Sequence, residues 1–181
     1  MALERLSVQH TPTAEAHAMR DVTFTVPGAP VPGGSKKVIP RAGLRYPLTV
    51  ASAKHLLGLV LVIDDNDRTK QWKKAVRQAA VFSFNGQPPL FGPLRLDVRF
   101  QLPRPKAHFT TAGVLRESAP VFPTKRPDAT KLLRAVEDAL TGVVWLDDAQ
   151  VVEQHVSKAF VGGGEDPDVN IVVCELPERG F

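Results

Sequence analysis

The sequence predicts a mixed α+β fold of the α/β kind, in which one sheet packs against helices within a single compact domain. Two periodicities carry that expectation. Apolar residues alternate with polar ones over Val22–Val26 and Leu94–Leu102, and they recur at helical spacing from about Lys70 to Phe84 and again after Asp128. Size is the third observation: 181 residues suit one domain able to bury a core without disulfides or structural metal.

Residues 1 to 20 mix small and polar side chains without a period and are expected to form a flexible tail, leaving 21 to 181 as the domain. Val22, Phe24 and Val26 alternate with Asp21, Thr23 and Thr25, so the first strand stops at Pro27-Gly28. A glycine-bearing loop follows with Lys36, Lys37, Arg41 and Arg45, cations suited to phosphates or simply to solvent. Asp64-Asp65-Asn66-Asp67 reads as a turn and helix start, since it lacks the spaced acids and glycine of a calcium loop. The helix it begins places Trp72, Ala75, Val76, Ala79 and Phe82 on an apolar side and Lys70, Lys73, Lys74 and Arg77 on a basic one.

Leu94, Leu96, Val98, Phe100 and Leu102 give the cleanest period of two in the chain. Arg104-Pro105-Lys106-Ala107-His108-Phe109 then leaves that strand as a surface loop rich in cations and rings. In the next helix, at 100° per residue, Leu132, Leu133, Val136, Ala139 and Leu140 share one arc; Thr130, Arg134, Glu137 and Thr141 share the other. Val143 to Leu146 reads as a buried strand or the approach to one, ending at Asp147-Asp148, and Val151 to Val156 continues extended. Gly162-Gly163-Gly164 marks a turn before a closing strand over 166 to 176.

Composition excludes several function classes. Cys174 is the sole cysteine, which rules out an internal disulfide and a cysteine-based zinc cluster, and its apolar setting predicts inert core. No apolar run approaches the roughly 20 residues of a membrane helix. Met1 to Arg5 lacks the pattern of a signal peptide, so the cytoplasm is the expected compartment. With 23 basic and 19 acidic residues the net charge is +4, which permits an anionic partner without demanding one.

The block from Arg126 to Gln150 concentrates the chemistry. It sets Asp128 at a helix start, Arg134 and Glu137 on one helix face, and Asp147-Asp148 after an apolar run. Hard divalent cations take oxygen ligands from one or two carboxylates, substrate phosphate and water, and nearby cations stabilise charge on a transferring phosphate. Taken singly, each residue has a structural alternative: an N-cap for Asp128, a surface ion pair for Arg134 and Glu137, a polar turn for Asp147-Asp148.

On these residues the chain resembles the RusA-type Holliday junction resolvases, particularly phage and prophage members. The resemblance runs from the first strand and the Pro27-Gly28-Ala29-Pro30-Val31-Pro32 loop, through Arg104-Pro105-Lys106, to the 126 to 150 block and Lys158. It implies a small mixed α/β homodimer that cuts four-way DNA junctions by paired nicks with Mg²⁺, Mn²⁺ being an alternative ion. Asp128 matches the family's first acid and Asp147-Asp148 its late acidic pair. Thr130 stands where the prototype has a second acid, and Arg134 where it has an assisting lysine.

The expected metal ligands are Asp128 and Asp148, then Asp147 and Glu137, the last lying two turns along the same helix face from Thr130. Arg134 and Lys158 are expected to steady charge on the phosphate. Lys36, Lys37, Arg41, Arg45, Lys70, Lys74, Arg104 and Lys106 are expected to hold the DNA backbone. His108 and Phe109 are candidates for stacking at the junction centre, with loop anchoring as the plainer role. Two other functions fit the same residues: a flap or branched-DNA nuclease, and a junction-binding protein without catalysis.

Overall fold

The computed structural model describes residues 19–33, 36–40, 60–64, 66–162 and 164–177. Its elements are β1 (Asp21–Pro27), β2 (Lys36–Pro40), β3 (Val60–Asp64), α1 (Asp67–Phe84), β4 (Leu94–Leu102), α2 (Ala129–Leu140), β5 (Val151–Phe160) and β6 (Asp168–Glu175), with 3₁₀ turns at Lys106–His108 and Asp148–Gln150. Of the tail expected over residues 1–20, residues 1–18 lie outside the described residues, as do Arg41 and Arg45.

Four strands form one mixed sheet in the order β1-β6-β4-β5. β6 pairs antiparallel with both β1 and β4, while β5 pairs parallel with β4, so the chain between them must cross over. α2 is carried in that crossover. β2 and β3 form a separate antiparallel ribbon.

One face of the sheet is the core. Leu94, Leu96, Val98, Phe100 and Leu102 of β4, Phe24 and Val26 of β1, and Val169, Ile171 and Val173 of β6 are buried with the apolar sides of both helices. Each such side chain contributes about 1.5–3 kcal/mol on leaving water, so this face dominates the energetics. The opposite face carries Arg95, Asp97, Arg99 and Gln101, none of them buried, and there Asp97 meets Arg95 at 3.3 Å and His155 at 2.9 Å. The clean alternation of β4 reflects a sheet covered on one side only.

Three expectations need correction. Residues 36–40, read as loop, form a strand that pairs with β3 over five residues from Lys36↔Asp64 to Pro40↔Val60. Phe82 is 88% exposed; α1 buries Thr69, Trp72, Val76, Ala80 and Phe84, an arc on the far side of the helix from Phe82. Val143–Leu146 is a turn, closed by a bridge between Thr141 and Trp145, although Val144 and Trp145 are buried as expected.

Asn66 begins α1 by accepting the backbone N–H of Arg68, and Asn85 ends it in the left-handed region at φ 45°. The loop after β1 is pinned on both sides. The Thr69 hydroxyl donates to the Pro32 carbonyl at 3.1 Å, and the Gly33 N–H donates to the Lys131 carbonyl at 2.8 Å. A Cβ on Gly33 would sit 3.3 Å from that same carbonyl, so glycine is what lets the loop lie on α2. Glu175, 4% exposed, accepts the backbone N–H groups of Arg20 at 2.9 Å and Phe91 at 3.1 Å, which ties the start of the fold to its last strand. Among the described residues no helix is long and apolar enough to cross a membrane.

Candidate active site

Every chemical residue of the 126 to 150 block lies on α2 or at one of its ends. Leu132, Leu133, Ala135, Val136, Ala139 and Leu140 bury one side of the helix, as its spacing predicts. The other side is thereby committed to solvent: Thr130 and Arg134 are exposed, and Glu137 and Thr141 are partly so.

The C-terminal end gathers the acids most tightly. Asp148 Oδ1 accepts hydrogen bonds from the Thr141 hydroxyl and, at 3.0 Å, from the indole N–H of buried Trp145. The Gln154 side chain donates to Glu137 Oε1 at 2.6 Å. Burial, then the charge of Asp148, raises the Glu137 carboxyl above its ordinary value of 4.5, so the two carboxylates share one electrostatic environment. Neither makes an ion pair among the described residues.

Asp147 is committed differently. It caps the short 3₁₀ turn, accepting the Ala149 N–H at 2.9 Å, while Gln150 returns to the Asp147 N–H at 3.1 Å. Gln150 also accepts from the Leu146 N–H and donates to the carbonyls of Leu90 and Gly92 at 3.1 and 3.3 Å. One amide side chain therefore fixes the acidic turn against the segment that leads into β4.

The N-terminal end presents Asp128. It occupies the N-cap position, yet its side chain makes no capping hydrogen bond; a carboxylate oxygen meets Lys131 at 3.5 Å, and the side chain is 50% exposed. The capping alternative therefore does not use up this carboxylate. Lys158, from β5, donates to the carbonyls of Lys125 at 3.3 Å and Pro127 at 3.0 Å. Two of its three N–H bonds thus hold the chain that delivers Asp128.

The structure brings Glu137 and Asp148 together, with Asp147 next in sequence, but not Asp128 and Asp148 of one chain. Asp128 and Thr141 cap opposite ends of a twelve-residue helix, roughly 20 Å apart at 1.5 Å per residue. Among the described residues no group of three or more His, Cys, Asp or Glu side chains is poised for a metal. The surface ion pair that is the plainer alternative for Arg134 and Glu137 is not made within 4 Å among the described residues; Glu137 is held by Gln154, and the Arg134 charge acts on it from farther off.

The remaining cations disperse. Lys36 and Lys37 lie in β2; Lys70 and Lys74 are exposed on α1, Lys70 pairing with Asp67 at 2.9 Å; Lys106 is exposed in its 3₁₀ turn. Arg104 instead braces a loop, its guanidinium 4.6 Å above the Phe160 ring and bonded to the Pro120 carbonyl at 3.0 Å. His108 meets Phe160 edge to face at 5.3 Å. Sequence reasoning missed the positioning side chains Trp145, Gln150 and Gln154. Their only signal was polar capacity beside an acidic turn.

The chain is similar to known proteins over a span that includes this block. A family model described as "Endodeoxyribonuclease RusA" matches residues 51–173. The chain is also similar to an uncharacterized protein of Bacillus subtilis (strain 168), YqaN, at 27% identity over 158 residues, covering 86% of this chain and 96% of that protein.

Proposed function

Because the chain belongs to the RusA family and is an endodeoxyribonuclease, we propose that it resolves four-way DNA junctions as a homodimer, by paired nicks that require a divalent cation. The observation that carries the reading is the coupled pair Glu137 and Asp148. Each has one oxygen held by neutral donors and one with no partner among the described residues; neither forms an ion pair there, although the charge of Arg134 reaches Glu137. Such a donor set fits a hard cation, Mg²⁺ first and Mn²⁺ as the alternative. When bound, a divalent cation lowers the pKa of its water and draws charge from the phosphate.

The chain's own residues do the rest. Thr141, Trp145 and Gln154 hold the two carboxylates before substrate arrives. Arg134, exposed on the same helix face, offers a planar guanidinium for two phosphate oxygens, which a lysine in its place would not match in shape. Lys158 sets the position of Asp128 and retains one N–H for a phosphate. Glu137 supplies the carboxylate that Thr130 does not. Lys36, Lys37, Lys70, Lys74 and Lys106 serve the DNA backbone, and Asp147 shapes the turn that bears Asp148.

Two arguments support a homodimer. A four-way junction has approximate twofold symmetry, which an isologous dimer meets with two equivalent sites. The separation of Asp128 from Asp148 adds that an ion drawing on both ends of the block draws on two chains. The test is cleavage of an immobile junction against linear duplex and flap, with Mg²⁺ or EDTA, by the native chain, Asp148→Asn and Glu137→Gln. Paired, Mg²⁺-dependent nicks lost in both variants, with binding retained, are expected. Preferential cutting of the flap would assign a different branched substrate, and binding without nicks would remove catalysis.

A further inference from the structure

The segment between β4 and α2 builds a feature that the cleavage chemistry leaves unused. An apolar cavity of about 310 Å³ lies among Leu102, Phe160, His108, Phe122 and a series of prolines that includes Pro30 and Pro127. That volume is at the low end of ligand sites, roughly 300–1,000 Å³, and suits one flat heterocycle. Proline walls, the Arg104 brace to Pro120 and the Lys158 bonds to residues 125 and 127 form it in advance. Phe122, which lines the cavity, is 68% exposed and so accessible to a ligand.

A second cleft of about 610 Å³ adjoins it, and the two share Pro30, Arg126 and Pro127 as a common wall. This one is more polar than the first: beside the Pro30-to-Gly33 loop it is lined by Arg68, Arg126 and Lys131, next to Asp128. An apolar slot with aromatic sides beside a cationic slot at the candidate catalytic acid is the shape of one nucleotide: base on one side, phosphate on the other. Aromatic faces accept any base, and cations locate the backbone.

We propose that the cavity seats a single unstacked nucleobase of the branched DNA, whose phosphate lies in the adjoining cationic cleft against Asp128. This rests on the reading of the chain as a junction endonuclease and adds a base-seating subsite to it. Duplex bases are stacked and withheld from such a slot, whereas bases at a branch point unstack at lower cost. The subsite therefore favours branched over linear DNA.

Junctions in which nucleotides around the branch are replaced one at a time by an abasic residue test the subsite, with binding measured in EDTA. For the native chain, one position is expected to weaken binding about tenfold, the loss of one stacked base. Phe122→Ala, at an exposed lip, and Ala29→Trp, which fills the mouth, are expected to bind the intact junction about tenfold more weakly and to become indifferent to that abasic position. Phe82→Ala, exposed on α1, is expected to keep the native pattern. A flat abasic scan, or a pattern that persists in both variants, overturns the subsite while native cleavage of the intact junction leaves the enzyme reading standing. A native chain that neither binds nor cuts the junction overturns both.

Discussion

Two chains that each lack one acid, Asp128→Asn and Asp148→Asn, are expected to be inactive alone and to recover cleavage when paired. The magnitude follows from α2. Asp128 and Thr141 flank its twelve residues, and Asp148 is bonded to Thr141, so about 20 Å separates the two acids along the helix. Oxygens on one Mg²⁺ lie about 2.1 Å from it, so two of them stand no more than about 4 Å apart. Side-chain rotation does not close that gap. In a twofold dimer an ion served by both acids takes one from each chain, and a mixed dimer then holds one site with both acids and one with neither. Co-expression under two tags, followed by two affinity steps, isolates mixed dimers. On a supercoiled plasmid bearing a cruciform, they should nick at about half the native rate per dimer, giving open circles where the native protein gives linear product. A mixed dimer as inactive as either parent would refute the reasoning, because it would place every required acid within one chain.

Three further outcomes are expected. Leu132, fully buried on α2, is expected to cost about 2–5 kcal/mol as Leu132→Ala, lowering the melting temperature by several degrees in a thermal scan; an unchanged melt would contradict its place in the core. The raised Glu137 carboxyl holds its proton more tightly folded than unfolded, so its stabilisation is complete below the ordinary value of 4.5 and fades as pH rises through the folded value. In EDTA, the native chain should therefore lose stability relative to Glu137→Gln as pH rises above that ordinary value, read from denaturant midpoints; a constant difference would deny that burial and Asp148 raise the carboxyl. Burial raises the Cys174 thiol, so a thiol reagent should label the protein only under denaturing conditions, and rapid native labelling would expose an opening of β6.

Much of the fold was legible where a residue's neighbours in sequence are also its neighbours in space. β4 alternates because one face meets the core and the other meets water, and α2 segregates because one side packs and the other does not. Lys36 to Pro40 hid its strand, since paired lysines and a terminal proline look like loop and the partner β3 lies more than 20 residues on. The spacing in α1 suggested an arc that included Phe82, but the packing against β1 and α2 centres on Val76 and Ala80. At the site, the block named the acids and their helix face. It did not reveal that the helix holds Asp128 apart from Asp148, nor that Lys158 spends its bonds on carbonyls, because those facts depend on where β5 returns. The apolar cavity was invisible for the same reason: its walls come from four separate stretches of chain.

β5 is also a ruler. Gln154 touches Glu137 near one end of α2 and Lys158 touches Pro127 just before the other, so strand and helix run in opposite directions and four strand steps span ten steps of the chain that carries α2, eight of them helical. Four steps of about 3.3 Å give roughly 13 Å, and the eight helical steps from Ala129 to Glu137 at about 1.5 Å give roughly 12 Å, a near match. A single inserted residue between Gln154 and Lys158 would turn one of the two side chains to the other face of the sheet. Two inserted residues would restore the face but overshoot by about 7 Å. The distance between the two ends of the site is therefore written in the length of an edge strand, in which the residues between Gln154 and Lys158 can change more readily than their number.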